Sequence, residues 1–478
     1  MGRILILSIA AIYLSGCAGL GVGPKYTAFP SCTEFSMTDT CVRDDEPRMI
    51  AVFFDGTGNT EESRSNIAKL HNIVTLRDTP YVHTLYVQGV GTDRKILGGA
   101  VGAGFDDRVK LAYHFIASKY RAEKGDKIFL FGFSRGAYSA RALAGMMYTA
   151  DLPDFGSMPD QNAQKALVEE IFAHYKGSDS LVEKREALKN ISGYRPRSTN
   201  IRISFMGLFD TVSALSYQPN EERKLGELSG KYLDQICNVD KVAHAMSIDD
   251  NRGRAFSPVP MTVSAIASTC EEVAGLSGDA RATKVGELID ERVVEVWFSG
   301  AHSDVGGGYA QNDDLSGVPL NWMMRQIKKS EATVDLLPEH PFVYEDIHAR
   351  SHVGEDALLG GRVYVNKNRA IGYYSEQLHP TGRPLVIHSS VIARRATVPR
   401  TCREYDFSQQ SIASTQSEDK CYSNHQTPTF KGFGECFEKV PLKDETLRDN
   451  RLLADFALRF TCPDEGPLLV VDEPERYR

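Results

Sequence analysis

Lys127-Ile128-Phe129-Leu130-Phe131-Gly132-Phe133-Ser134-Arg135-Gly136-Ala137-Tyr138 decides how the rest of this chain is read. A short apolar, β-prone run leads into Gly-x-Ser-x-Gly, and an alanine-rich stretch from Ala137 to Met147 follows with helical character. Strand, sharp turn and helix around that pattern describe a nucleophile elbow. The turn projects the serine hydroxyl into a cleft, and Gly132 and Gly136 leave room for the tight backbone. Ser134 is the candidate nucleophile. The next amide, that of Arg135, opens the helix and can donate to a developing oxyanion.

Upstream of the elbow, Arg48 to Phe54 reads as a buried strand that ends in Asp55-Gly56-Thr57-Gly58-Asn59-Thr60. Helical spacing follows over Ser65–Leu76, then a strand over Thr84–Val87, a Gly-rich loop from Leu97 to Phe105, and an amphipathic helix over Asp107–Ala122. Strand, helix, strand, helix, strand, serine is the order that opens an α/β-hydrolase sheet. The expected fold is therefore α/β, a mostly parallel sheet flanked by helices. In that register the loop after Phe54 takes the place of the oxyanion loop, with Gly56 as the second amide donor. The competing reading is a tight turn in which Asp55 and Asn59 bond their own backbone.

Downstream, Leu167–Tyr175 and Leu181–Leu188 look helical and fall where such folds insert a cap, about residues 151–200. Ile201 to Phe209 is a strand that ends at Asp210-Thr211-Val212. Leu233 to Arg254 mixes helix with Cys237 and His244. Arg292 to Phe298 is a further strand, and it leads to Ser299-Gly300-Ala301-His302-Ser303-Asp304-Val305-Gly306-Gly307-Gly308-Tyr309. Pro319–Lys329 is helical, and His388 lies in Pro384-Leu385-Val386-Ile387-His388-Ser389-Ser390-Val391. Beyond about Thr397 the sequence turns irregular, polar and cysteine-bearing.

A serine nucleophile needs a base, and the base needs an orienting carboxylate. In this fold they follow in the order Ser, acid, His, each on a loop after a strand. Asp210 and Asp304 stand at strand ends; His302 and His388 are the placed histidines. Counting strands after the elbow puts Asp210 after the first and Asp304 after the second, the commoner acid position. The favoured triad is thus Ser134, Asp304 and His388. Ser134, Asp210 and His302 form the rival set, which keeps the same order.

Composition bounds the rest. The chain has 478 residues, 42% hydrophobic and 25% charged, with a net charge of −8, so it is an ordinary globular protein with no basic footprint for nucleic acid. Met1-Gly2-Arg3, an apolar run over Ile4–Leu14 and Ser15-Gly16-Cys17 describe a secretory signal. Leu14-Ser15-Gly16-Cys17 is similar to the bacterial lipobox, which makes Cys17 the candidate lipidated residue and, with Ala18 after it, points to the outer membrane. The other eight of the nine cysteines fit disulfides of an oxidising compartment. Proximity pairs Cys32 with Cys41 and Cys237 with Cys270, leaving Cys402, Cys421, Cys436 and Cys462 to pair among themselves. No close Cys or His pairs have zinc spacing, and no Gly-rich loop has nucleotide-binding context, so neither metal nor cofactor is expected. The domain reading is 1–16 signal peptide, 17–47 tether, 48–396 catalytic domain and 397–478 accessory region.

Four motifs in order, Phe53–Asn59, Gly132–Ala137, Phe209–Val212 and Gly300–Tyr309, together resemble the α/β-hydrolase domain family of otherwise unknown function that includes the first class of type VI secretion lipase effectors. His388-Ser389-Ser390-Val391 is similar to its late His-x-Ser-Val element, and the resemblance covers roughly residues 48–396. It implies a Ser–Asp–His triad, carried over onto Ser134, Asp304 and His388, and phospholipase activity on membrane lipid. Effectors of that class are injected without a signal peptide, whereas this N-terminus is that of an exported lipoprotein of the bacterial envelope. The expected activity is a lipid-anchored serine hydrolase acting on phospholipid carboxyl esters. An esterase or amidase working on an envelope polymer, or a non-catalytic lipoprotein with a hydrolase-like fold, would fit the same outline.

Overall fold

The computed structural model describes residues 46–352 with breaks at 78, 91–102, 157, 198–199, 213–231, 251, 253–255, 257, 311, 331–335, 348 and 350. It further describes residues 385–391 and the strand backbones at 405–406, 411–412, 458–462 and 466–471. In chain order the parallel strands are β1 (Met49–Phe54), β2 (Val82–Val87), β3 (Lys127–Phe133), β4 (Phe205–Phe209), β5 (Val242–Ser247), β6 (Val293–Phe298) and β7 (Leu385–His388). A two-residue pair, β8 (Tyr405–Asp406) with β9 (Ser411–Ile412), stands apart, and β10 (Leu458–Cys462) and β11 (Gly466–Val471) close the chain.

These strands are near-continuous apolar runs because both faces of the sheet are covered. On β1, Ile50, Val52 and Phe54 enter one core while Ala51 and Phe53 enter the other. The first core is shared with α2 (Ala103–Lys119), α3 (Arg135–Ala150), α4 (Gln161–Tyr175), α5 (Leu181–Lys189) and α6 (Gly278–Arg292). The second is shared with α1 (Asn66–Thr75), the short α7 (His302–Gly306) and α8 (Gly317–Lys329). The stretch expected as a cap is helical: it is α4 and α5, which join the layer beside α2 and α3, with Lys110 of α2 bonded to Glu169 of α4.

The sheet order is β2-β1-β3-β4-β5-β6-β7-β11-β10, with only β10 antiparallel. The chain leaves β1 for the outer β2, then crosses back to β3 on the other side of β1. That reversal places the topological switch between the carboxyl ends of β1 and β3, where open α/β sheets bind their ligands. The loop after Phe54 and the Ser134 elbow border it.

Two differences from the sequence reading matter. The stretch over 233–254 contains β5, a fully buried strand rather than helix. Its central His244 interrupts the apolar run, yet the imidazole is satisfied inside the sheet: Nδ1 meets Glu295 at 2.8 Å, and Nε2 accepts from the Thr211 amide at 3.2 Å. Second, the boundary drawn near residue 396 is crossed, because β11 pairs with β7 and extends the main sheet. Cys237 and Cys270 are disulfide-bonded, with Cα atoms 4.9 Å apart. Cys17, Cys32, Cys41, Cys402, Cys421 and Cys436 lie outside the described residues.

Candidate active site

The elbow is as tight as its glycines imply. Ser134 has φ 58° and ψ −125° between β3 and α3, a conformation that costs a non-glycine residue about 1–3 kcal/mol and is held by its surroundings. Its amide donates to the Phe209 carbonyl at 2.9 Å, which ties the elbow to the end of β4. A Cβ on Gly136 would lie 2.2 Å from the Phe54 carbonyl oxygen, so only glycine lets α3 start this close to β1.

Asp210 follows β4 directly and also has positive φ, 39°. It is fully buried; its amide donates to the Ala245 carbonyl at 2.7 Å, and Oδ1 accepts the Ser247 amide at 2.9 Å. Oδ2 meets His302 Nδ1 at 2.5 Å, and His302 Nε2 meets Ser134 Oγ at 2.7 Å. A carboxylate can only accept, so the ring proton sits on Nδ1 and Nε2 presents its lone pair to the serine hydroxyl.

His302 is fixed by both backbone and ring contacts. Its amide donates to Asp250 Oδ2 at 3.1 Å, the preceding Gly300 amide donates to Asp249 Oδ2 at 2.6 Å, and the Gly300 carbonyl accepts from Ser247 Oγ at 2.8 Å. The ring lies between Phe133 and Phe256, centroids at 4.6 and 4.9 Å. Burial pushes the imidazole below its usual range; Asp210 pulls it upward without prevailing, and the Arg252 charge adds to the depression. Near neutral pH the ring is therefore an unprotonated base.

The structure brings together the rival set, Ser134, Asp210 and His302, and it corrects the favoured one. Asp304 stands in the first turn of α7 with its carboxylate spent on other partners. Oδ2 accepts from the amides of Ala301 at 2.8 Å and His352 at 2.9 Å, and Oδ1 meets His352 Nδ1 at 2.7 Å. His388 ends β7, four strands from β3, which at ~4.8 Å per strand puts it roughly 19 Å from the elbow. There its Nδ1 meets Ser390 Oγ at 2.9 Å and its ring stacks on Phe298. His302 spans the distance because α7 folds back over β3: Asn66 Nδ2 donates to the Val305 carbonyl at 2.8 Å, and Gly306 passes so near the Phe133 ring that a Cβ would sit 1.9 Å away.

Gly56 is also corrected as an oxyanion donor. Its amide donates to Asp55 Oδ1 at 2.6 Å. Asp55 also accepts from Asn59 Nδ2 at 3.1 Å, Ser65 Oγ at 2.5 Å and the Tyr86 hydroxyl, so the loop is the tight turn of the competing reading, enlarged into a hub. Burial raises the Asp55 pKa even though all four donors act to lower it. The Arg135 amide keeps its expected place as the first of α3. Sequence reasoning missed Ser247, Asp249, Asp250 and His352; recognising β5 would have placed the first three at a strand end beside the site. Among the described residues, no group of three or more His, Cys, Asp or Glu side chains is placed to hold a metal ion.

A serine on a strand–helix elbow, bonded to a histidine that is bonded to a buried aspartate, is the constellation of a serine hydrolase, here on an α/β-hydrolase sheet. The family model for the Tle1-like catalytic domain of type VI secretion phospholipase effectors matches residues 48–326, more than half of the chain, and the chain belongs to that family. An uncharacterized protein of Saccharomyces cerevisiae, YEL023C, is 27% identical over 239 residues, covering 44% of this chain and 33% of its own length. A solved structure of the Tle1 effector bound to the VgrG spike is 18% identical with a TM-score of 0.28, covering 60% of this chain and 57% of that one. Esterase 2 of Thermogutta terrifontis, phosphorylated by paraoxon, is 12% identical with a TM-score of 0.32, covering 67% of this chain and 97% of that one. The chain thus spans about a third of the yeast protein and little more than half of the Tle1 structure.

Proposed function

We propose that this chain hydrolyses carboxyl esters of phospholipids through Ser134, His302 and Asp210. The hydrogen-bonded run from Ser134 Oγ through His302 to Asp210 carries this reading, and membership of a phospholipase effector family supplies the substrate class. Ser134 Oγ attacks the ester carbonyl while His302 Nε2 takes its proton. The Arg135 amide, at the start of a 16-residue helix, faces the charge that develops on the carbonyl oxygen. His302 then protonates the departing lyso-lipid alkoxide, and a water activated by the same nitrogen releases the fatty acid and regenerates Ser134. Asp210 keeps the ring in the required tautomer and stabilises the imidazolium that each half-reaction forms.

The lipobox at Leu14–Cys17 supports a location at the bacterial envelope, with the catalytic domain tethered near its substrate. Purified protein should release fatty acid from phosphatidylglycerol or phosphatidylethanolamine vesicles and should react with a fluorophosphonate probe, and Ser134→Ala should do neither. Labelling that survives Ser134→Ala sinks the reading. Brisk cleavage of short p-nitrophenyl esters with no fatty acid from vesicles transfers it to a polymer esterase. Cys17→Ser should move the protein from the membrane to the soluble fraction; a variant that stays with the membrane contradicts the anchor.

A further inference from the structure

Beside the nucleophile lies a group of polar side chains that ester hydrolysis leaves unused. Arg252 is only 6% exposed. Its Nε reaches both oxygens of Asp250 at 3.2 Å and its Nη2 reaches Oδ2 at 2.6 Å, while Nη1 has no hydrogen-bond partner among the described residues. The guanidinium lies 3.4 Å from the centroid of the Phe256 ring, whose edge meets His302. The free donor is therefore one ring away from the catalytic base.

Tyr309, three residues beyond α7, lies within the electrostatic reach of Arg252 and Asp250. Its ring stacks on His352 with centroids 3.6 Å apart, and His352 is itself clamped to Asp304. The Tyr309 hydroxyl has no hydrogen-bond partner among the described residues and lies in the field of Asp304, Arg252, Asp250 and Asp313. Burial and the Asp304 charge keep it protonated, hence a donor. A buried guanidinium is costly unless its charge and its donors are matched. Asp250 matches most of it, while giving part of its own capacity to the His302 amide and to the Arg252 amide at 3.0 Å. What remains is one planar cationic donor and one neutral hydroxyl donor, a combination suited to a singly charged phosphate oxygen.

We propose that Arg252 Nη1 and Tyr309 Oη form the subsite that receives the head-group phosphate of the ester substrate. The inference rests on the phospholipid reading above and adds to it the residues that select a phosphate-bearing ester over a neutral one. The glycerol backbone joins the scissile ester to the phosphate through a few bonds, which fits a phosphate subsite one aromatic ring from His302. The Asp250 pairing holds the fork in place and tempers its charge, and the stack on His352 fixes the tyrosine.

The test compares phosphatidylglycerol with diacylglycerol of the same acyl chains in identical mixed micelles, using the purified full chain. In Arg252→Gln the ratio of kcat/KM for phosphatidylglycerol to that for diacylglycerol should fall by roughly 10- to 100-fold, as for loss of a charge-assisted hydrogen bond. In Tyr309→Phe, which preserves the ring stack and keeps the variant folded, the ratio should fall by about 3- to 10-fold, mainly through KM. Equal losses on both lipids in both variants would show that Arg252 serves only Asp250 and would overturn the subsite. A wild-type protein that cleaves diacylglycerol but not phosphatidylglycerol would instead sink the phospholipid reading, and the subsite with it.

Discussion

Two aspartate–histidine pairs sit on either side of one short helix, and only one of them touches a serine. Asp210 and His302 are 2.5 Å apart and Asp304 and His352 are 2.7 Å apart, both through Nδ1, with both carboxylates buried. Local chemistry scarcely separates them. What separates them is where the strands deliver each member. Asp210 comes off β4, hydrogen-bonded next to β3, so its carboxylate is one strand away from the serine that β3 presents. Asp304 arrives two residues after His302 and faces a different segment, tying His352 to α7 by one backbone and one side-chain hydrogen bond. The first pair orients a base, whereas the second fastens the chain against the helix that carries that base.

The sharpest way to break this contrast is to remove one member at a time. Ser134→Ala and His302→Ala should each lower kcat by on the order of 10⁶, and Asp210→Asn by about 10⁴, with near-native circular dichroism. His388→Ala, in a side chain packed on Phe298, should stay within about tenfold of wild type. A dead His388→Ala beside an active His302→Ala would reverse the assignment.

The second pair should behave differently under the same treatment. Asp304→Asn removes a buried acceptor of three hydrogen bonds and should cost about 1–3 kcal/mol of stability, measured by urea unfolding. Its kcat at a temperature where it is folded should fall by about tenfold or less, and His352→Gln should follow it. If Asp304→Asn instead matched the loss of Asp210→Asn, the two pairs would be one functional unit and the comparison would dissolve.

How much of this was legible beforehand follows from where information sits in the chain. The elbow and the strands around it could be read because Ile128–Phe133 and Met49–Phe54 are uninterrupted apolar runs, and glycines at 132 and 136 are demanded by backbone contacts that any sequence for this turn must satisfy. All four candidate acids and bases, Asp210, Asp304, His302 and His388, were visible too. Choosing among them required a strand count, and the count missed β5 because His244 breaks its apolar pattern. That imidazole is tolerated only because Glu295 and Thr211, distant in sequence, satisfy it. Omitting one strand moved Asp304 into the acid position and forced the base onto His388. The use of the Gly56 amide was equally out of reach, since Ser65 and Tyr86 help position the Asp55 carboxylate that takes it. The late strands were hidden for another reason: Leu468-Leu469-Val470-Val471 is a strand-like run, but its partner β7 lies some eighty residues earlier.

The smallest expected effect is also the one that most finely separates the two pairs. Catalysis needs neutral His302, whose pKa lies below the usual 6.5 because burial outweighs Asp210. Activity should therefore be full at neutral pH, and the acid limb of the kcat/KM profile should fall at a pH below 6.5, as the imidazole takes a proton and can no longer receive one from Ser134. The charges facing the ring are Asp210, Asp250 and Arg252. Arg252→Gln removes a cation that disfavours the imidazolium and leaves Asp250 uncompensated. Both changes favour protonation, so the limb should move to higher pH by about one unit or less. Residual activity of Asp210→Asn should show the opposite movement, because that variant removes the anion that favours the charged ring. His352→Gln changes a ring held by Asp304, and the leading influences on His302 are instead burial, Asp210, Arg252 and Asp250, so the limb should move less than in either of the other two variants. A limb that moved with His352→Gln and ignored Arg252→Gln would mean that the titrating base belongs to the second pair, and the roles assigned to the two aspartates would have to be exchanged.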